Sequence, residues 1–225
     1  MESIFERSLG ADFARLHPKL QRRLSMSSAS GIAQIGGGVM TRMTRGALAA
    51  VPVALLGSAR RLELPGAGTG VRFDLANYAY VDTLGRDTFA YSRRFQLGSK
   101  VARFDDTMIF SEARGCIVNY LGSHQDIAAE LHCEVIDGGG IRMLGGDQRV
   151  YQGRLGFRLP ALLAARAEVI ETFDEANDRF TISVEIVASK ASLFSYRGWF
   201  NLAEVAFDAA EIPSGVRPDV ERAAD

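Results

Sequence analysis

The sequence predicts a mainly β protein of the α+β type, with a large antiparallel sheet curled into a barrel or half-barrel and short N-terminal helices. Three observations predict this fold class. From Val71 onward, apolar and polar residues alternate with period 2, as half-buried strands require. Turns containing Gly and Asp separate these segments at hairpin spacing. Helical periodicity is confined to the first quarter, so nothing favours the alternating strands and helices of a parallel sheet.

Residues 2–25 predict the short helices. Gly10 interrupts this stretch, and Pro18 suits the first turn of a helix because its missing N–H would be unpaired there anyway. His17, just before it, is interpreted as a surface residue, since no partner stands at metal-site spacing. The apolar residues that recur at helical spacing are Ile4, Phe5, Leu9, Phe13 and Leu16.

Residues 32–45 predict an extended segment with three glycines, 36–38, in its middle. A phosphate-binding loop would need a helix start and a Lys, Ser or Thr at fixed offsets, which are absent, so we predict a bulge or sharp bend. The apolar residues 46–58 are too few to cross a membrane and predict a buried helix or loop, with a membrane-dipping segment as the alternative.

The alternating pattern predicts about nine or ten strands in a single domain, residues 1–210. Glycine-rich turns at 137–140 and 145–147 bracket one short strand, and 160–166 predict a short apolar helix or loop. The charged residues 211–225 predict a disordered tail. Beyond 32–45, the predicted strands are 71–81, 89–97, 102–110, 116–121, 127–136, 141–144, 149–158, 167–173, 179–187 and 195–205.

Composition narrows the class of partner. Lys and Arg total 26 against 27 for Asp and Glu, a net charge of -1, which argues against a nucleic-acid surface. The sequence contains no run of 18 or more apolar residues, so no integral membrane segment is expected. The acidic start does not resemble a secretory signal. A cytoplasmic location is therefore expected, with Cys116 and Cys133 as reduced, buried thiols. A homodimer is among the expected partners, beside a hydrophobic small molecule.

Polar residues on apolar strand faces indicate where a site would lie. Arg93 alternates with Phe89, Tyr91, Phe95 and Leu97, and a buried arginine needs an anionic or carbonyl partner. Two interpretations stay open: an ion pair with Asp82 or Asp106, or a clamp on a ligand anion or carbonyl. Asn77 falls on a similar face, where its amide would bind backbone or orient a ligand.

Two further groups carry chemistry. Glu130, His132 and Glu134 share one strand face, but no third or fourth metal ligand is visible, so a solvated outer face is favoured. His124 follows a Gly-Ser turn at a strand end, where a histidine can serve acid–base chemistry or stabilise the turn. No G-x-S-x-G elbow supplies a hydrolase nucleophile.

Several sequence motifs resemble those of a bacterial family, common in actinobacteria, that is known as a domain of unknown function. The two most specific are YLGSHQ at 120–125 and QRVYQGRLGFRLP at 148–160, and the resemblance covers nearly the whole chain. It implies small-molecule metabolism, since such domains stand alone or are fused to oxidoreductase-like partners. The polar residues that it marks are Asn77, Asp82, Arg86, Arg93, Asp105, Tyr120, His124, Gln125, Gln148, Arg149, Tyr151 and Arg158.

Two positions depart from the family pattern. Gln152 stands where many relatives have Glu, and Asp126 stands where relatives often repeat a His. The pattern also marks Asp105, whereas alternation places Asp106 on the apolar face, and a β-bulge would reconcile the two.

These observations predict a barrel-like pocket for an apolar small molecule, with cofactor-free and metal-free acid–base turnover of the isomerase, cyclase or dehydratase type. In this hypothesis His124 moves the proton, Arg93 holds an oxyanion, and Asp82 or Tyr151 orients them. The alternatives are a non-catalytic lipid or metabolite carrier, or an interaction module for a partner oxidoreductase. Expected ligand-binding residues are Asn77, Tyr91, Tyr120, Gln125, Gln148, Arg149 and Arg158.

Overall fold

The computed structural model describes residues 1–46, 61, 65–152, 155–160, 164–188, 191–213 and 215–223. The helices are α1 (Ile4–Leu9) and α2 (Pro18–Leu24), joined by a 3₁₀ turn, Gly10–Arg15. The strands are β1 (Ile32–Arg45), β2 (Val71–Val81), β3 (Asp87–Leu97), β4 (Lys100–Ser111), β5 (Cys116–Leu121), β6 (Ile127–Ile136), β7 (Gly140–Gln152), β8 (Leu155–Arg158), β9 (Arg166–Asp174), β10 (Arg179–Ala188) and β11 (Ala191–Ala206). Residues 47–58 of the predicted apolar helix or loop lie outside the described residues.

Ten of the strands form a closed antiparallel barrel. Neighbours run in the order β6-β5-β4-β3-β2-β1-β11-β10-β9-β7, and β6 also pairs with β7, which closes the ring. β8 pairs with the end of β7 and stands outside the ring. The prediction of a mainly β antiparallel fold with short N-terminal helices is confirmed, and of the two shapes considered the sheet adopts the barrel. Closure removes the unpaired edges that an open sheet would expose.

The three glycines of β1 allow close contact between strands. Residues 33–40 pair without a break with both β11 and β2, and the register shift with β11 falls later, between Met40 and Arg42. A Cβ at Gly36 or Gly38 would collide with the carbonyl oxygens of Asn201 and Trp199. Of the bulge or sharp bend predicted at 36–38, the bulge is wrong, because these glycines allow close backbone approach within a ladder that has no register shift there.

A second glycine-rich stretch, predicted as a turn, also lies within a strand. Ala129 pairs with Gln148 and Leu131 pairs with Gly145, so residues 146 and 147 face Glu130 alone. This is a β-bulge inside β7, where two residues face one. The prediction of a turn at 145–147 is wrong because two glycines can continue a strand through a bulge.

The N-terminal helices close one end of the barrel. Ser3 caps α1 in a capping box with Glu6, and His17 caps α2 by accepting from the Lys19 N–H. Side chains of both helices join the core of the barrel; Phe5 meets Phe89 edge-on at 5.5 Å between ring centroids. His17 also stacks on Phe173 and pairs with Glu175 through its exposed side.

The chain returns to the barrel after β11. Residues 215–223, which we call the C-terminal segment, lie on the outer face of the sheet. The Asp219 N–H donates to the Ser123 carbonyl over 2.6 Å, and Arg103 donates to the Gly215 carbonyl over 2.6 Å. In the part of the chain that is described, no helix has the length and apolar character that crossing a membrane requires.

Candidate functional site

A buried ion pair lies inside the barrel between β3 and β4. Arg93 donates from Nη2 to Asp106 Oδ2 over 2.8 Å and from Nη1 to the Tyr196 hydroxyl over 3.2 Å. The two charged side chains are only 10% and 5% exposed. Of the two partners considered for Arg93, Asp106 is therefore the one that binds it. The guanidinium also lies 4.6 Å from the ring centroids of Tyr91 and Phe104, which surround it with aromatic walls.

A second buried ion pair lies beside the first. Arg23, from α2, donates to Glu171 Oε2 over 2.6 Å and to the Tyr91 hydroxyl over 3.2 Å. Sequence reasoning missed both members of this pair. Glu171 shares a strand face with apolar Val169 and Phe173. A charged residue on an apolar face is the pattern that indicated Arg93, so the sequence could also have indicated Glu171. Arg23 lies on a helix, where alternation gives no such signal.

Burial controls the protonation of this interior network. It raises the pKa of Asp106 and that of Glu171, while the neighbouring arginines act to lower both. Burial also raises the pKa of the Tyr91 and Tyr196 hydroxyls, so both stay protonated over the physiological range. With both pairs ionised, two positive and two negative charges cancel, and the interior is polar without net charge.

Several polar atoms of the interior make no hydrogen bond within the described residues. They are Arg23 Nε, Asn77 Oδ1, Asp106 Oδ1 and Asn119 Oδ1. Asn77 does donate to Gln34 over 3.1 Å, and Gln34 donates to the Arg23 carbonyl over 2.9 Å, so the amide has a structural role as well. Unpaired buried acceptors are costly and are candidates to bind water or a ligand donor.

The two aspartates of β4 face opposite sides of the barrel wall. β3 and β4 pair without a register shift, so Asp106 points inward and Asp105 outward. Asp105 accepts from Ser92 over 2.8 Å and pairs with Arg103 at 2.7 Å. The β-bulge suggested to reconcile the two positions is therefore absent from this pair of strands, and both aspartates are buried, each by a different layer.

Asp82 shapes the turn between β2 and β3. Its carboxylate accepts from the backbone N–H groups of Leu84 and Arg86 and from Arg86 Nε at 2.7 Å. Arg86 in turn lies over the Tyr120 ring, 5.7 Å from its centroid. Burial raises the pKa of the Tyr120 hydroxyl to about 12. These predicted site residues thus form an outer-face cluster, on the opposite side of the wall from Arg93.

His124 lies in the turn between β5 and β6 and is about one-third exposed. Its Nδ1 is 2.9 Å from the Ser123 hydroxyl and 3.6 Å from Asp219 Oδ2. A catalytic triad needs the serine and the carboxylate on different ring nitrogens. Because both neighbours face the same nitrogen, the arrangement does not form such a relay, although His124 remains accessible to solvent.

Gln125 and Tyr151 hold the C-terminal segment. Gln125 has a φ of 51°, the left-handed region, which is uncommon for a residue with a side chain. Its amide donates to the Thr107 hydroxyl over 2.9 Å and accepts from the Arg222 N–H over 2.6 Å. The Tyr151 hydroxyl donates to the Ala223 carbonyl over 3.4 Å. These contacts fix the segment over the outer-face cluster.

A groove of about 770 Å³ opens at the end of the barrel opposite α1 and α2. Gln148 binds the Ala165 backbone with both ends of its amide, and Arg158 pairs with Asp147. Arg149 lies between these residues in β7, paired in register with Ala128 and Arg158. Apolar lining comes from Leu144, Pro160, Ala164, Ala167 and Val187.

The structure thus separates the predicted site residues into three places. Arg93, Tyr91 and Asn77 lie inside the barrel, and Gln148 and Arg158 line the end groove. The remaining cluster, on the outer face, holds Asp82, Tyr120, His124, Gln125 and Tyr151. Because the sheet lies between them, one small ligand cannot contact both Arg93 and His124.

A set of potential metal ligands lies on the outer face of β5 and β6. The ligating atoms of Cys116, Glu130 and His132 all lie within 4.8 Å of one another. The sequence indicated Glu130 and His132 as possible ligands but not Cys116. Cys116 lies on the neighbouring strand and comes close to them only because β5 pairs with β6.

The fold and its interior define a class: a closed ten-stranded antiparallel barrel, capped by N-terminal helices, with paired charges inside. The chain belongs to the family described as "Domain of unknown function (DUF4166)", whose model matches residues 16–200. It is also similar to "Uncharacterized protein YndH" of Bacillus subtilis (strain 168), 28% identical over 205 residues, which span 91% of this chain and 98% of the relative. No solved structure matches the chain.

Proposed function

We propose that this protein binds a small molecule with an apolar body in the groove at the end of the barrel opposite α1 and α2. The observation that carries the proposal is the groove itself, about 770 Å³ in volume. Small-molecule sites typically measure roughly 300–1,000 Å³ and combine apolar walls with a few polar groups. The groove is a better candidate than the interior of the barrel, because aromatic side chains and two ion pairs already occupy the interior.

The polar groups of the groove suggest what the ligand carries. Arg142 pairs with Glu168 and Glu134, and Arg158 pairs with Asp147. The other two charged residues that line the groove, Arg166 and Glu185, have opposite signs, so its charges are balanced. A neutral oxygen, such as a carbonyl or hydroxyl, can bind beside these pairs without displacing a carboxylate. The ligand class that fits is therefore an apolar metabolite with one or two neutral oxygen atoms.

The acid–base hypothesis is proposed in a narrower form. Since the barrel wall separates His124 from Arg93, the two residues cannot act on one substrate, and turnover would use residues on one side of the wall only. This second candidate places the ligand inside the barrel instead of in the groove: Arg93 would stabilise an oxyanion and Asp106, whose Oδ1 makes no hydrogen bond within the described residues, would exchange the proton. Recovery of a bound ligand unchanged after incubation favours a carrier, whereas its conversion favours an enzyme.

Fluorescence titration with Nile red, a neutral apolar dye that carries a carbonyl oxygen, tests the groove. Ala164→Trp places a large ring in the groove from a residue outside the barrel strands. We expect saturable binding to the unaltered chain and binding at least about tenfold weaker in Ala164→Trp, a loss of roughly 1.4 kcal/mol.

Ser183→Trp is the matched control, because Ser183 is exposed in a shallower depression of about 310 Å³ on the outer face of β10 and β11. It should bind the probe as the unaltered chain does. Absence of saturable binding, or equal weakening in both tryptophan variants, would contradict the proposal.

A further inference from the structure

Three metal-ligating side chains of different chemistry meet on the outer face of the barrel, beside the end groove, whose lining residue Gly146 lies against His132. Cys116 begins β5, and Glu130 and His132 are alternate residues of β6, so neighbouring strands bring them to one face. Their ligating atoms lie within 4.8 Å of one another. Cys116 is 2% exposed, while the His132 side chain is 56% exposed, so the cluster has a buried floor and an open side.

These three donors match one metal better than others. Sulfur, imidazole nitrogen and carboxylate oxygen at about 2.0–2.3 Å from a common centre are the ligands of zinc in tetrahedral sites. Atoms at such bond lengths around one ion lie roughly 3–4 Å apart, so the observed spacing requires only side-chain rotation. Calcium and magnesium prefer oxygen ligands and would leave the sulfur unused.

Arg114 prepares the carboxylate for such a role. It donates to Glu130 Oε1 over 2.7 Å, which leaves Oε2 facing His132 Nε2 at 3.7 Å. Ligating carboxylates are commonly held by such outer hydrogen bonds. Gly146, in the bulge of β7, has no side chain to crowd His132. A Cβ at this position would come within 2.9 Å of His132 Nε2. The bulge therefore leaves room for the imidazole beside the carboxylate.

We propose that Cys116, Glu130 and His132 bind a zinc ion, with a fourth position open to water or an external ligand on the exposed side of His132. On binding, the S–H bond of Cys116 breaks, its proton passes to solvent, and a sulfur–metal bond forms. Three protein ligands with one open position is the arrangement of zinc sites that bind substrates or activate water.

Cobalt titration tests the site directly, since Co²⁺ replaces Zn²⁺ and absorbs light according to its ligands. The full chain, stripped with a chelator, is titrated with cobalt chloride and then with zinc chloride. We expect one equivalent of Co²⁺ to give a thiolate-to-cobalt charge-transfer band and tetrahedral visible bands, both removed by zinc. Cys116→Ser should lose the charge-transfer band, and His132→Ala should weaken binding by at least about tenfold.

Two substitutions serve as controls. Cys133→Ala removes the other thiol, which packs against the barrel interior, and His17→Ala removes another histidine that faces a carboxylate. Both should keep the cobalt spectrum. His132 is exposed, so its variant should fold as judged by circular dichroism even if Cys116→Ser does not. Absence of a charge-transfer band, its persistence in Cys116→Ser, unchanged affinity in His132→Ala, or its loss in Cys133→Ala would overturn the proposal.

Discussion

Arg93 and Asp106 form a charged pair that the barrel wall and the helices shield from water. Removing one member leaves the other charge buried without its partner, which typically destabilises a protein by about 3–5 kcal/mol. Arg93→Met should therefore lower the free energy of unfolding by about that amount, measured by urea denaturation.

The matched control is Arg15→Ala, which breaks an exposed pair with Asp12 and should leave the unfolding free energy nearly unchanged. Combining Arg93→Met with Asp106→Leu should recover much of the loss, because no unpaired charge remains. Equal losses in Arg93→Met and Arg15→Ala would show that the pair is not buried.

The same residue pair predicts a pH dependence. Burial raises the pKa of Asp106, and Arg93→Met removes the arginine that opposes that effect. The folded variant then binds a proton that the unfolded chain releases above the ordinary carboxyl pKa of 3.8, so its stability falls as pH rises. Urea denaturation of this variant should show a smaller deficit relative to the unaltered chain at about pH 5 than at about pH 8. A deficit that grows on acidification would contradict the assignment.

At the scale of elements, the C-terminal segment acts as an outer layer of the barrel. Arg217 lies over the fully buried Tyr80 ring, 4.9 Å from its centroid, and Glu221 accepts from the Thr83 N–H over 2.6 Å. Burial, more than any neighbouring charge, raises the pKa of the Tyr80 hydroxyl. The segment therefore contributes to the fold although its composition resembles a tail.

Ending the chain after residue 213 should lower the free energy of unfolding by more than about 2 kcal/mol, because exposing one large apolar side chain costs roughly 1.5–3 kcal/mol. The measurement is urea denaturation, with Val220→Ala as the control, since Val220 is already 37% exposed. An unchanged denaturation midpoint in the shortened chain would mean that the segment only rests on the surface.

At the scale of the whole molecule, strand faces could be predicted from the sequence, whereas contacts between distant elements could not. Alternation placed Arg93 inside because strand faces repeat every second residue. It could not place His124, because a turn residue belongs to neither face. Closure of the barrel depends on β7 meeting β9 and β1 meeting β11, which are not consecutive strands, so local patterns do not specify these pairings. Cys116 met His132 only through strand register, and Arg23 met Glu171 through packing of a helix across the barrel end.

Hydrogen–deuterium exchange with and without bound Nile red decides whether the ligand site is the end groove. Our prediction is slower exchange on binding in peptides covering 142–148 and 164–168, which line that groove. Protection confined to 89–108, where the strands carry Arg93 and Asp106, would place the ligand inside the barrel and contradict it.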